Sequence, residues 1–237
     1  MNNPLDGPNP SGPAPEPEGP AFYNSLFGDI PAEHWPRPLA PGRDPAQEAP
    51  EWRWFRQARE AAQRGEAPQA EQLLRQVLSR PDLEARHYLQ AWTALRALGV
   101  APAATEAKRV LGVVVEVSLA QGPDVVAAYA DGSARYINQG GGAIVWENPD
   151  HSLDQLVSTL LAAGQHVADR IGPWEGARRG PVTGNAARLS FLTPSGLHFG
   201  EGPMEVLWND ALAHPVLAAA QALMIAIMEK SQPGVTG

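Results

Sequence analysis

The sequence predicts an α+β protein, in which helices pack on an antiparallel sheet and a helical segment precedes it. Three observations carry this. Val110 to Asn148 reads as four short strands joined by tight turns. Ser152 to Ile171 reads as one long amphipathic helix, and a two-strand hairpin and a last apolar helix follow it. The order is helices, four strands, helix, two strands, helix.

Leu111 to Leu119 alternates, with Val113, Val115, Val117 and Leu119 on one face and Glu116 and Ser118 on the other. A period of two marks a strand with one buried face. Ala120–Asp124 carries Gly and Pro and reverses the chain. Val125–Ala130 and Ser133–Asn138 flank Asp131-Gly132, a pair that suits a two-residue type I′ turn. In that register Ala127 faces Tyr136 and Tyr129 faces Ala134. Gln139–Gly142 then turns into Ala143–Asn148. Such a meander is expected to keep one face on the core and the other on solvent or a partner.

Ahead of the sheet, residues 1–50 hold about half of the 24 prolines and few β-branched residues. Chain of that kind buries too little apolar surface to offset its folding entropy, so a disordered leader is expected. Within it, residues 21–35 (AFYNSLFGDIPAEHW) form an aromatic island, whose Phe22, Tyr23, Phe27 and Trp35 are candidate partner-binding residues. The alternative is that the island folds back onto its own domain and covers a bare groove or sheet edge. Residues 51–99 read as three helices: one after Pro50 that breaks at Gly65, one through Ala70–Ser79, and one from Pro81 to near Gly99. The last carries Leu83, Tyr88, Leu89, Trp92, Leu95 and Leu98 at helical spacing.

Within residues 51–84, Trp54, Ala58, Gly65, Ala70 and Leu74 fall at the signature spacing of a tetratricopeptide repeat, which this stretch resembles. Gln57 stands where leucine is usual, and the closing proline is displaced by about one place. The resemblance implies a helical hairpin of the kind that family uses to bind other proteins. It covers one unit only.

After the meander, Ser152-Leu-Asp-Gln155 has the form of a capping box. The helix behind it places Leu153, Leu156, Val157, Leu160, Leu161, Gly164, Val167, Ala168 and Ile171 on one face, and Gly172-Pro173 ends it. Residues 174–187 form a Gly-rich loop with Arg178-Arg179 at its centre. Arg188–Thr193 and Leu197–Gly200 make a hairpin around Pro194-Ser195-Gly196. Residues 201–210 carry no clear pattern. A final helix begins near Pro215, and Pro233-Gly234 releases a tail over 233–237. The expected organisation is a leader (1–50), a helical segment (51–99), an α+β domain (100–232) and the tail. The element order is similar to that of profilin-like sandwiches.

A net charge of −8 and no cysteine exclude several chemistries. Non-specific nucleic-acid or anionic-membrane binding needs clustered cations. Disulfide frameworks, thiolate metal sites and Cys nucleophiles are absent, as expected in the cytoplasm. No secretory leader is read at the N-terminus. The most apolar run, Val216 to Met228, is too short to span a bilayer.

No HExxH or other metal spacing appears among the six histidines, so no metal or cofactor is expected. Gln139–Gly142 lacks the pattern of a phosphate loop, and no GxSxG elbow is present. Ser190 and Ser195 lack a partner that would mark a nucleophile. No catalytic residue is assigned, and whether the chain is an enzyme stays open, with the balance toward not. His198 near Glu201 is the His/carboxylate neighbourhood worth testing. With Arg178 and Arg179, whose forked donors suit an anion, it makes a candidate ligand set. Glu116 and Glu147 read as a surface pair. Trp146, Trp174 and Trp208 are dense for so short a region, and Trp146 joins the candidate partner-binding residues.

These readings favour a non-enzymatic protein–protein interaction module, an adaptor, chaperone-like partner or regulatory subunit that binds another protein. The alternatives are a small-molecule site or unfamiliar enzyme with a pocket near the 173–187 loop, and a self-associating structural domain that forms a homodimer.

Overall fold

The computed structural model describes residues 19–35 and 49–231. The disorder expected over 1–50 falls mainly on 1–18 and 36–48, and the tail on 233–237, outside the described residues.

Six strands form one open antiparallel sheet. They are β1 (Gly112–Ser118), β2 (Pro123–Tyr129), β3 (Ala134–Ile137), β4 (Ala143–Trp146), β5 (Ala186–Thr193) and β6 (Gly196–Pro203). Their spatial order is β4-β3-β2-β1-β5-β6. The meander and the hairpin are those the alternation predicts. The hairpin adds to the free edge of β1, so the connection from β4 crosses the sheet through helix α5 (Asp154–Ala168). The sheet and its helices make the α+β class that the sequence predicts.

The β2–β3 register differs from the expected one by a residue. Val126 pairs with Tyr136, Ala127 with Arg135 and Ala128 with Ala134. Tyr129 N–H donates to Ser133 O and Gly132 N–H to Tyr129 O, closing a three-residue loop rather than a two-residue one. Only Gly132 takes positive φ there, at 84°. This is a turn ending in a glycine bulge, which an Asp-Gly pair serves as well as it serves type I′. Asp131 Oδ1 accepts from Ser133 N within the loop, while its Oδ2 accepts from Ala85 N at 2.6 Å. The turn therefore caps helix α4 (Ala85–Ala97), which starts four residues later than Pro81 would suggest.

One sheet face, with Val113, Val115, Val126, Tyr136, Leu189 and Phe191, packs against α5 and the last helix. That face of α5 is the one its periodicity predicts. The capping box does not form: the cap position is Leu153, without a side-chain bond, and Ser152 N–H donates to Asp150 instead. Residues 204–208 make a short helix and Ala213–Ser231 the final one. Numbered in chain order, with α1 (Gly19–Ser25), α2 (Pro50–Gln63) and α3 (Ala67–Leu78), these two are α6 and α7.

The opposite sheet face is also covered, where the alternation of β1 suggests solvent or a partner. Val114, Val125, Ala127, Tyr129 and Leu192 pack under Tyr23, Leu26 and Phe27 from α1 and its following turn, and under Ala85 and Leu89 of α4. A third cluster joins Phe55 of α2, Leu74 of α3 and Trp92 of α4 with Trp35. Helix α4 thus serves both clusters. Among the described residues no helix is long and apolar enough to cross a membrane.

Candidate functional site

The aromatic island is a strap across the second sheet face. Tyr23, Phe27 and Trp35 are buried, and Phe22 is half-buried. Tyr129 O–H donates to Leu26 O at 2.7 Å, and Tyr23 O–H to Glu116 Oε1 at 2.8 Å. Gln90 exchanges two bonds with the backbone of Ile30, and Trp35 Nε1 donates to Ile30 O. Binding a partner through Tyr23, Phe27 or Trp35 would first require pulling them from this core. Trp146 lies elsewhere, on edge strand β4, half-buried with its ring toward α7.

The loop that follows α5 locks the strap. Arg178 donates to Asp29 at 2.7 Å and to Asn24 at 3.0 Å, and its guanidinium lies 4.1 Å from the Phe27 ring centre. Arg179 stacks between Trp174 and Phe199, 5.3 Å from each, and reaches Glu201 at 3.6 Å. Under the loop sits an ionic knot. Glu116, with no exposed surface, accepts from Tyr23 and from Val182 N, and Arg188 lies 3.4 Å from its Oε2. Arg188 also donates to Glu201 at 2.8 Å and to Gly180 O at 2.8 Å. Burial pushes the Glu116 carboxyl above its ordinary value, partly offset by Arg188 and the Tyr23 bond. Burial and Glu116 push the Tyr23 hydroxyl up as well. The surface pairing expected of Glu116 and Glu147 does not occur, because Glu116 faces the strap while Glu147 pairs with Arg135 at 2.7 Å.

His198 and Glu201 lie on opposite faces of β6, since Phe191 opposite His198 faces α5 while Arg188 opposite Glu201 faces the strap. His198 meets Ser195 instead. Its Nε2 is 3.1 Å from Ser195 Oγ, and its Nδ1 is 3.2 Å from Ile171 O. A carbonyl can only accept, so Nδ1 carries the proton and Nε2 accepts from the hydroxyl. Burial, aided by Lys108, pulls His198 below its usual value, keeping the ring neutral. The pair holds a proton in place. It has no carboxylate on Nδ1 to stabilise an imidazolium, as a hydrolytic triad has.

Ser195 opens onto a polar cavity of about 190 Å³ closed by Asp29, by Thr93 and Arg96 of α4, and by Trp174 and Arg178 of the loop. Sequence reasoning placed a pocket near this loop but missed Arg96, Thr93 and Ser195. Their convergence depends on contacts about a hundred residues apart and leaves no local pattern.

A larger concavity of about 570 Å³ lies between the sheet, α6 and α7. Val115 and Val126 form its floor, Leu217, Ala220 and Met224 one wall, and Met204 and Trp208 another. Leu119 is 41 % exposed at its mouth and Trp208 37 %. Asp124, Asn185, Glu205, Asn209 and Gln221 are its polar members, and no cation lines it. The unpatterned 201–210 stretch supplies one of its walls. Among the described residues no group of His, Asp or Glu is placed to hold a metal ion. No family model, no curated protein and no solved structure matches this chain.

Proposed function

We propose that this chain is a non-catalytic protein-interaction module whose binding surface is the groove between β1–β2 and helices α6 and α7. The observation that supports this most is the groove itself: a concavity of about 570 Å³ with an apolar floor and exposed Leu119 and Trp208 at its edge. Exposed apolar side chains gathered around a concavity mark interaction sites, and Trp is a frequent anchor there. Leu217, Ala220 and Met224 run along two turns of α7, a length that matches the i, i+3, i+7 face of one amphipathic helix. The charged members of the groove are Asp124 and Glu205, and the chain carries −8 overall. The partner is therefore an amphipathic helix with a basic rim. A tetratricopeptide-like hairpin at α2–α3 would supply a second contact surface, consistent with an adaptor or regulatory subunit.

Fluorescence anisotropy of a labelled Leu/Lys helical peptide tests this. Binding should saturate, weaken with salt, and fall about tenfold or more in Met224→Lys, which puts a cation into the groove. Equal binding of a Leu/Glu peptide of the same apolar face, or of the Met224→Lys protein, would overturn it.

A further inference from the structure

We propose that the cavity beneath the 172–185 loop is an oxyanion site for a phosphate group, with Arg96 as its cation. Arg96 is half-buried in α4. Its Nη1 donates to Pro194 O at 2.7 Å and its Nη2 to Thr93 Oγ1 at 3.1 Å. A guanidinium has five N–H donors, so three are left for a ligand. Among the described residues no carboxylate is paired with Arg96, whereas its neighbours are all engaged: Arg178 by Asp29, and Arg179 and Arg188 by Glu201. Burial depresses the Arg96 guanidinium and the charge of Asp29 across the cavity offsets this only in part, so a half-buried cation with no direct ion pair bears a desolvation cost that a bound anion offsets.

The rest of the wall suits a tetrahedral anion better than a carboxylate. The cavity is small, and the hydroxyls of Thr93, Thr193 and Ser195 line it together with the guanidinium. Thr93 and Thr193 donate their own hydroxyl protons to Gly28 O and Gly196 O. The donors free for a ligand are therefore the three N–H groups of Arg96 and the turnable hydroxyl of Ser195, a set that can spread over the oxygens of a phosphate. Ser195 is 2.9 Å from Thr193 Oγ1 and 3.1 Å from His198 Nε2. Rotation about its Cβ–Oγ bond turns its proton from His198 to an anion in the cavity. Asp29 stays neutralised by Arg178, which donates to both of its oxygens. The cavity and the groove share no residue, so this inference stands apart from the interaction reading.

Isothermal titration of the full chain with inorganic phosphate, at constant ionic strength in chloride, tests it. Saturable binding with a Kd of about 1 mM or tighter is expected. Glycerol phosphate run alongside separates the two sources, the tighter ligand showing whether the site takes the free anion or a phosphomonoester. Arg96→Gln removes the cation, and Ser195→Asp places a carboxylate against it. Each should weaken binding about tenfold or more while circular dichroism stays native. In the unaltered protein, phosphate should slow phenylglyoxal modification of Arg96, a readout that needs no variant to fold. Absence of saturable heat with both ligands, undiminished binding in either folded variant, or unprotected Arg96 would overturn the proposal.

Discussion

Glu116 has no exposed surface and shares its oxygens among a tyrosine, a backbone amide and an arginine. Burial raises its pKa above the unfolded value, so the folded chain holds the proton more tightly. That preference stabilises the fold below the unfolded pKa, about 4.3, and is lost as pH rises through the folded value. Glu116→Gln keeps an acceptor for Tyr23 and Val182 but does not titrate. The difference in Tm, variant minus native, should therefore grow from acid to neutral pH when thermal unfolding is followed by circular dichroism. A flat difference would mean that Arg188 and Tyr23 cancel the burial effect. At this scale the sequence was only half legible. Alternation placed Glu116 opposite the valines correctly, but the partners that let it be buried, Tyr23 and Arg188, lie 93 and 72 residues away.

Helix α5 shows how an element can be right in outline and different at its end. Its length and buried stripe follow from spacing, since Val157, Leu160, Gly164, Val167 and Ala168 are all buried. Its start was misread because Asp150 takes the amide of Ser152, and His151 adopts a positive φ of 59°, so the serine never reaches the cap position. The β2–β3 turn was misread for a similar reason: Asp-Gly fits two loop lengths, and packing on both faces decides between them. Gly164 is where α5 comes closest to the sheet. A Cβ there would lie 2.6 Å from Val113 Cγ2 and 3.0 Å from Phe191 Cδ1. Helix propensity alone favours Gly164→Ala by about 1 kcal/mol. Overpacking opposes it by about 1–3 kcal/mol, so the variant should be the less stable one in urea unfolding. An increase in stability would show that the helix can lift without cost.

Across the whole molecule, the strap joins the second sheet-face cluster to the helical cluster of α2, α3 and α4. It buries Tyr23, Leu26 and Phe27 against β1 and β2, and Trp35 against α2. Removing residues 1–35 should bare that sheet face, take Asp29 and Asn24 from Arg178 and take the Tyr23 hydroxyl from Glu116. Losing even one buried aromatic costs about 3–5 kcal/mol, so the shortened chain should bind anilinonaphthalene sulfonate strongly and lose its cooperative unfolding transition. Retention of a native Tm would show the strap to be an accessory. Little of this was legible in the sequence beyond the cluster of rings itself. A docking contact such as Arg178 on Asp29 has no periodicity, and Arg178 read as one of two loop cations suited to an anion.

The position of the strap also bears on how the chain is made. Asp29 leaves the ribosome 149 residues before Arg178, its partner. At roughly 5–20 residues per second, that interval lasts about 7–30 seconds. Through all of it the rings of the first segment are synthesised but have no finished seat. The strap emerges ahead of the elements that hold it and is among the last to be secured.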